Sequence, residues 1–299
     1  MKIWLCALIL ISGTLVSQDR VSVVTKKPRV AVLPFEVGAV SDRQMFDQGG
    51  IEKFAESVTQ QLVNTFVGLR RFIVVERSAI EKILKEQNLQ TSDLTDPSKA
   101  VSLGAMLGTE FLVQGTIVNI HTTTSKKDKK SSCKVDLLIR IIDVTTGQII
   151  ASKDITGISD KKKDKSANIA YGALDNADAE IGRSIKQVFP VEGKIIRFVE
   201  PETDKKAKKK DKSKKKQADL VLISCGKELG IKEGDKFQVI QEEEIIVDGQ
   251  IFKRQKAVGK LKVVKLEMDG IFSICEVIEG SKVIAADKEK LDFLVVSIE

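Results

Sequence analysis

The helical spacing of apolar residues stops at Phe189-Pro190, where short strand-like stretches take over, and that change constrains the fold more than any motif does. Before it, apolar residues recur every three or four positions: Ile51, Phe54, Ala55, Val58, Leu62 and Phe66 in one run, Ile169, Ala173, Ala177, Ile181, Ile185 and Val188 in another. Each run is the buried stripe of an amphipathic helix facing a sheet. After it, short strand-like stretches at 193–199, 219–224, 236–241, 257–266 and 272–278 alternate with turn signals at Gly226, Gly230, Gly234-Asp235, Asp248-Gly249, Asp269-Gly270 and Gly280. That punctuation predicts a small β-barrel or sandwich.

Within the first part, 29–35 is an apolar run of strand length and 72–76 a second strand. Ser78 with Glu81 matches a capping box opening a helix that ends near Gln87, and Asp96-Pro97 opens another running to about Leu107. Strands follow at 111–120, 135–144 and 148–158, the last two joined by the tight turn Thr145-Thr146-Gly147. The expected fold is α/β: a three-layer-like α/β sandwich with a mixed sheet, followed by a small all-β barrel. The expected domains are 22–188 and 189–299, with a disordered Lys-rich loop at 201–217 inside the second.

Charge is distributed in a way that excludes the obvious partner. The net charge is +7, yet the runs 126–130, 161–165 and 205–216 alone hold 17 lysines against three aspartates, so the rest of the chain is acidic. Nucleic-acid modules interleave basic residues with aromatics on which bases stack. These runs hold only Lys, Asp, Ser and Ala, and read as solvated loops. No nucleic-acid partner is expected, and membrane contact is at most peripheral.

Lys2, the apolar stretch from Ile3 to Ile11 and the small residues Ser12, Gly13, Thr14 and Ser17 read as a secretion signal cleaved near Ser17. The stretch is too short for a membrane-spanning helix, which needs about 20 residues. Cys6 lies inside it with no small residue before it, so no lipidation is expected. Three cysteines remain beyond it, and Cys225 with Cys275 is the one pair inside a single expected domain. Two buried free thiols on strands are preferred over a disulfide between them.

The segments Arg71-Phe-Ile-Val-Val-Glu-Arg77, Leu84-Lys-Glu-Gln87, Thr109-Glu-Phe-Leu-Val-Gln-Gly-Thr116 and Ile142-Asp-Val-Thr-Thr-Gly147, in that order, resemble the core pattern of the curli production assembly/transport component (CsgG) family. Arg29 to Phe35 resembles its opening strand. The motif residues carried over are Phe72, Glu76, Arg77, Glu86, Gln87, Gly115, Thr146 and Gly147. The stretch from Leu229 to Val239 resembles an SH3-like β-barrel of envelope assembly proteins. The resemblance implies a non-enzymatic protein of cell-envelope assembly or secretion, exported and periplasmic, associated with the outer membrane or not. Its partners would be other envelope proteins, including copies of itself. The alternative it leaves open is a periplasmic module regulating a cell-wall enzyme, as activators of penicillin-binding proteins do.

No catalytic residue, cofactor site or metal site is expected. His121 stands beside a Thr run without a nucleophile or carboxylate placed to make it a base. Glu242 to Asp248 places consecutive carboxylates on opposite faces of a hairpin, so a solvated hairpin is preferred over a cation site. Pore-forming members of the family carry membrane hairpins at positions matching 121–134 and 159–168. Here those stretches are rich in Ser, Thr and Lys and lack aromatics, which predicts two short solvated turns instead of a lipid-facing barrel.

Overall fold

The computed structural model describes residues 27–38, 40–46, 49–125, 130–162, 168–200, 219–248, 250–286 and 292–298. The expected secretion signal, the long lysine run and most of the two shorter runs lie outside them.

The first half alternates strands and helices: β1 (Arg29–Val32), β2 (Glu36–Val37), α1 (Gly50–Gly68), β3 (Ile73–Val74), α2 (Arg77–Glu86), α3 (Pro97–Leu107), β4 (Phe111–Thr124), β5 (Lys130–Asp143), β6 (Ile149–Lys162) and α4 (Asn168–Val188). The sheet runs β3-β1-β4-β5-β6, with β2 beside β4. It is mixed: β1 is parallel to β3 and β4, and β2 to β4, whereas β4, β5 and β6 form an antiparallel meander. Alternation along β1 sends Val30 and Val32 to one face and Ala31 and Leu33 to the other. The first pair meets α1 and α4 in the larger core, and the second meets α2 and α3 in a smaller one. This is the three-layer arrangement the hydrophobic periods require.

The second half is a closed antiparallel barrel of β7 (Glu192–Val199), β8 (Leu220–Ile223), β9 (Lys236–Val247), β10 (Gln250–Leu266), β11 (Ser273–Glu279) and β12 (Phe293–Ile298), with a short α5 (Ser281–Ala286) before the last strand. Its order is β10-β11-β8-β7-β12-β9, so β12 closes the cylinder by pairing with both β7 and β9. Closure removes the free edges a six-stranded sheet would otherwise expose. Val221, Ile223, Phe237, Val239, Leu261, Val263, Phe293 and Val295 fill it.

Several expectations need correction. Helix α2 begins at Arg77, so Ser78 lies inside it and caps nothing; Glu81 instead holds the Arg77 Nε at 2.5 Å. The Asp96 cap does form, its carboxylate accepting from the Ser98 amide at 2.9 Å. Strands β4, β5 and β6 run past 120, 135 and 158 and stay paired out to Thr124↔Ser131 and Lys130↔Lys162. At 121–124, 130–134 and 159–162 the expected turns are therefore continuations of the sheet, while 126–129 and 163–167 lie outside the described residues. A β-carbon on Gly157 would stand 2.0 Å from the Ala173 carbonyl oxygen. Likewise β9 and β10 extend well beyond 241 and 257, and β12 and α5 were not anticipated.

The two halves meet at the end of α4. Phe189 packs edge-on against Phe72 and Phe111, with ring centres 5.1 and 4.9 Å apart, while Val191 already belongs to the barrel core. Arg71 Nη1 donates to the Phe189 carbonyl at 2.9 Å.

Candidate functional site

The residues of the sequence motif do not converge. Phe72 is buried between Phe66 and Phe189, an edge-to-face stack of the kind worth about 1 kcal/mol beyond area burial. Glu76 is the extended residue that feeds α2. Arg77 bridges α2 to α1 through Glu81 and, at 3.4 Å, Glu56; these carboxylates raise its guanidinium further, the Glu81 hydrogen bond first. Glu86 faces Lys82 at 3.9 Å, and the Gln87 amide closes the last turn on Ile83. Gly115 leaves room for the Phe35 ring, which would lie 2.0 Å from any β-carbon there. Thr146 donates from its amide and its hydroxyl to Asp143 Oδ1, at 2.8 and 3.2 Å, and Gly147 takes the left-handed φ of 70° that the turn needs. Each residue specifies a local piece of fold, and the shared pattern is a signature of architecture.

What the structure does bring together is a polar cleft of about 900 Å³ between α1 and α4 on one side and the 230–235 turn of the barrel on the other. Gln60, Asn64, Asp178, Arg183, Lys232 and Asp235 line it. The walls satisfy part of their own hydrogen bonding: Thr65 donates to Asp178 at 2.7 Å, Gln60 to Asn64 at 2.9 Å and Gln61 to the Leu174 carbonyl at 3.2 Å. A smaller hollow of about 470 Å³ continues past Arg71, Lys186 and Lys236. Amides and charges of both signs on an open floor suit a polar chain segment. Sequence reasoning missed this cleft because its walls come from 57–69, 175–186 and 230–235, which no local pattern connects.

The other candidate groups stand apart. His121 Nδ1 lies 3.6 Å from Asp42 Oδ2, and the adjacent Thr122 hydroxyl donates to the Met45 sulfur at 3.5 Å, away from the imidazole. Glu242 and Glu243 pair with Lys253, Arg254 and Lys256 across the β9–β10 hairpin. Among the described residues no group of His, Cys, Asp and Glu is placed to hold a metal, and no helix is long and apolar enough to cross a membrane. Cys133, Cys225 and Cys275 are free and buried, so the candidate bridge between Cys225 and Cys275 is not drawn. Both thiols sit in the apolar barrel interior, and burial pushes each up to about 12. Cys275 lies on β11, while Cys225 follows β8.

The model of one protein family, described as "Curli production assembly/transport component CsgG", matches residues 14–187. No curated protein sequence matches the chain. Solved structures similar to it include the hypothetical protein CT253 from Chlamydia trachomatis, at 12% identity and TM-score 0.38, covering 55% of this chain and 99% of that one. Lipoprotein GNA1162 from Neisseria meningitidis superposes at 15% identity and TM-score 0.33, over 51% of this chain and 99% of its own. A PelC dodecamer from Paraburkholderia phytofirmans aligns at 15% identity and TM-score 0.31, over 52% and 86%.

Proposed function

The chain belongs to the CsgG family, whose model spans residues 14–187, and from that premise we propose that it is a non-enzymatic protein of the bacterial cell envelope that acts in assembly or secretion by binding partners. The family match over the whole α/β half is the observation that carries this reading. In it, the apolar segment from Ile3 to Ile11 is the export signal, the sheet domain at 22–188 and the barrel at 189–299 are a rigid scaffold, and the interdomain cleft receives a polar segment of the partner.

The sheet domain does not build a transmembrane barrel in this proposal. At the ends of β4, β5 and β6 the inner side, Ile120, Ser131, Cys133 and Ser159, is buried, and the outer side presents His121, Thr123, Ser132, Lys134 and Asp160. A lipid-facing strand needs an apolar outer row, and a Lys at mid-bilayer costs about 2 to 4 kcal/mol.

Fractionation of cells expressing the full chain should recover a shortened protein in the envelope fraction. Full-length protein confined to the cytoplasm would refute the envelope assignment. Planar-bilayer recordings on the purified protein should give no stepwise conductance, and reproducible channels would refute the absence of a pore.

A further inference from the structure

Strands β9 and β10 outrun the barrel. β12 pairs with β9 only as far as Gln241, and β11 with β10 only from Lys260 onward. Beyond those points, among the described residues, the two strands pair only with each other, closing at Gln250↔Val247 around Asp248, whose φ of 49° suits a two-residue hairpin turn. At about 3.3 Å per residue the free ribbon reaches roughly 20 Å into solvent. Its faces are bare: Ile246 is 73% exposed, Ile251 66% and Phe252 51%. A lone two-stranded ribbon is marginal in water, and each of its unpaired edges is a template for another strand.

The charges on this arm are sorted by strand. Glu242, Glu243 and Glu244 lie on β9, whereas Lys253, Arg254 and Lys256 lie on β10. The register sets Glu244 opposite Lys253, Glu243 opposite Arg254, Ile245 opposite Phe252 and Ile246 opposite Ile251. The arm thus has one acidic edge, one basic edge and an apolar band at the same height on both. Pairing β9 with β9, or β10 with β10, of a second copy would set like charges side by side, which destabilises a sheet.

We propose that the arms of adjacent copies of this chain pair edge to edge, β9 of one copy antiparallel to β10 of the next, in the register the hairpin already uses. Lys253 then has a Glu244 on each side, and Arg254 a Glu243 on each side. Ile245, Ile246, Ile251 and Phe252 join into a continuous apolar band. An acidic edge meeting a basic edge is a heterologous contact, so the pairing propagates into a ring or a filament and does not stop at a dimer. A bilayer fits the arm less well. Asp248 and the polar turn lie beyond the apolar band, so insertion would drive a carboxylate deepest, and a band about three residues tall falls far short of the ~25 Å apolar belt of a membrane barrel. The proposal stands whether or not the protein is in the envelope.

Light scattering on the full chain across a concentration series tests it. The unaltered chain should self-associate beyond a dimer. A triple change on the acidic edge (Glu242→Lys, Glu243→Lys, Glu244→Lys) or on the basic edge (Lys253→Glu, Arg254→Glu, Lys256→Glu) should each raise the concentration needed by tenfold or more, since the two directly opposed acid–base pairs, Glu244 with Lys253 and Glu243 with Arg254, become repulsive and about 1.4 kcal/mol is a factor of ten. Mixing the two triple variants, or carrying both triples in one chain, should restore assembly, because each restores acid beside base. Phe252→Ser with Ile246→Ser leaves the charges intact and should also weaken assembly about tenfold, which covers the case of a charge variant that fails to fold by circular dichroism. A chain that stays monomeric at every concentration, charge variants that assemble unchanged, or a mixture of folded variants that stays apart would each overturn the proposal. So would capture of the arm by lipid vesicles in place of a second copy.

Discussion

Two long β extensions leave this molecule's cores, and they are treated in opposite ways. The ends of β4, β5 and β6 carry little apolar surface, yet their inner side is covered: α4 lies across β5 and β6, with Asn176 donating to the Ile158 carbonyl at 2.7 Å, and beside β4 Asp42 accepts from the Thr122 amide. Small inward residues, Ser131, Cys133, Gly157 and Ser159, make that close approach feasible. The β9–β10 arm carries more apolar surface, and no described residue covers Ile246, Ile251 or Phe252. The difference teaches that cover, not hydrophobicity, decides whether a strand is fold or interface. The polar extension is fold because a helix reaches it; the apolar one faces outward because no described element of its own chain does.

Substitutions under the covered extension should break that contrast most strongly. Gly157→Val places atoms where the Ala173 carbonyl oxygen stands 2.0 Å from the first of them, so α4 cannot dock; a loss of about 3 kcal/mol or more is expected in chemical denaturation. Wild-type stability in that variant would show that α4 does not hold the extension. Next, Ile120→Ala should cost about 3 kcal/mol, since this side chain is fully buried. Ile251→Ala on the arm should change the dilute, monomeric chain by less than about 0.5 kcal/mol. Equal effects at the two sites would erase the distinction between cover and exposure.

A third test separates the cores by pH. Burial raises the Cys225 and Cys275 thiols to about 12 in the folded barrel, above the ordinary thiol value of 9.0. Between about pH 9 and 12 the unfolded chain therefore releases protons that the folded barrel keeps, and barrel stability must fall as pH rises, by about 1.4 kcal/mol per thiol per pH unit. It is fully present below pH 9. Urea melts at pH 8 and pH 10 should show the fall, and Cys225→Ala with Cys275→Ala should flatten it; an undiminished slope in that variant would assign the effect elsewhere. A local effect is expected at Asp42→Asn, which weakens the acceptor of the Thr122 amide and should cost about 1 kcal/mol, read as faster amide exchange at 122 than in the rest of β4. Uniform exchange along the strand would mean that Asp42 does not pin it.

Much of the architecture was legible in advance. The stripes at 51–66 and 169–188 became α1 and α4, Asp96 capped α3, and the turn punctuation after 190 became a barrel. Such signals are local: a helix shows its buried face within two turns, and a turn needs its Gly or Asp at one position. What was not legible is equally physical. Beyond the expected strands the inner row at the ends of β5 and β6 is Ser131, Cys133 and Ser159, which carries no hydrophobic alternation, so it read as loop. Phe293–Ile298 went unread because nothing local announces which strand will close a barrel. Ser78 and Glu81 matched a capping pattern whose spacing also serves an ion pair one turn along the helix.

The amino-acid sequence by itself determined the class of each half and which side chains must be buried, because both follow from the spacing of apolar residues along a few turns of chain, and it carried the family in the order of its motifs. Only the tertiary structure decided that the family motif is scattered over separate pieces of fold, that a polar cleft forms between α1, α4 and the 230–235 turn, that α4 covers one extension, and that β9 and β10 leave the barrel as a bare, charge-sorted arm. Those outcomes depend on contacts between residues 20 to more than 100 positions apart, and a local period reports that a face is buried without reporting what buries it.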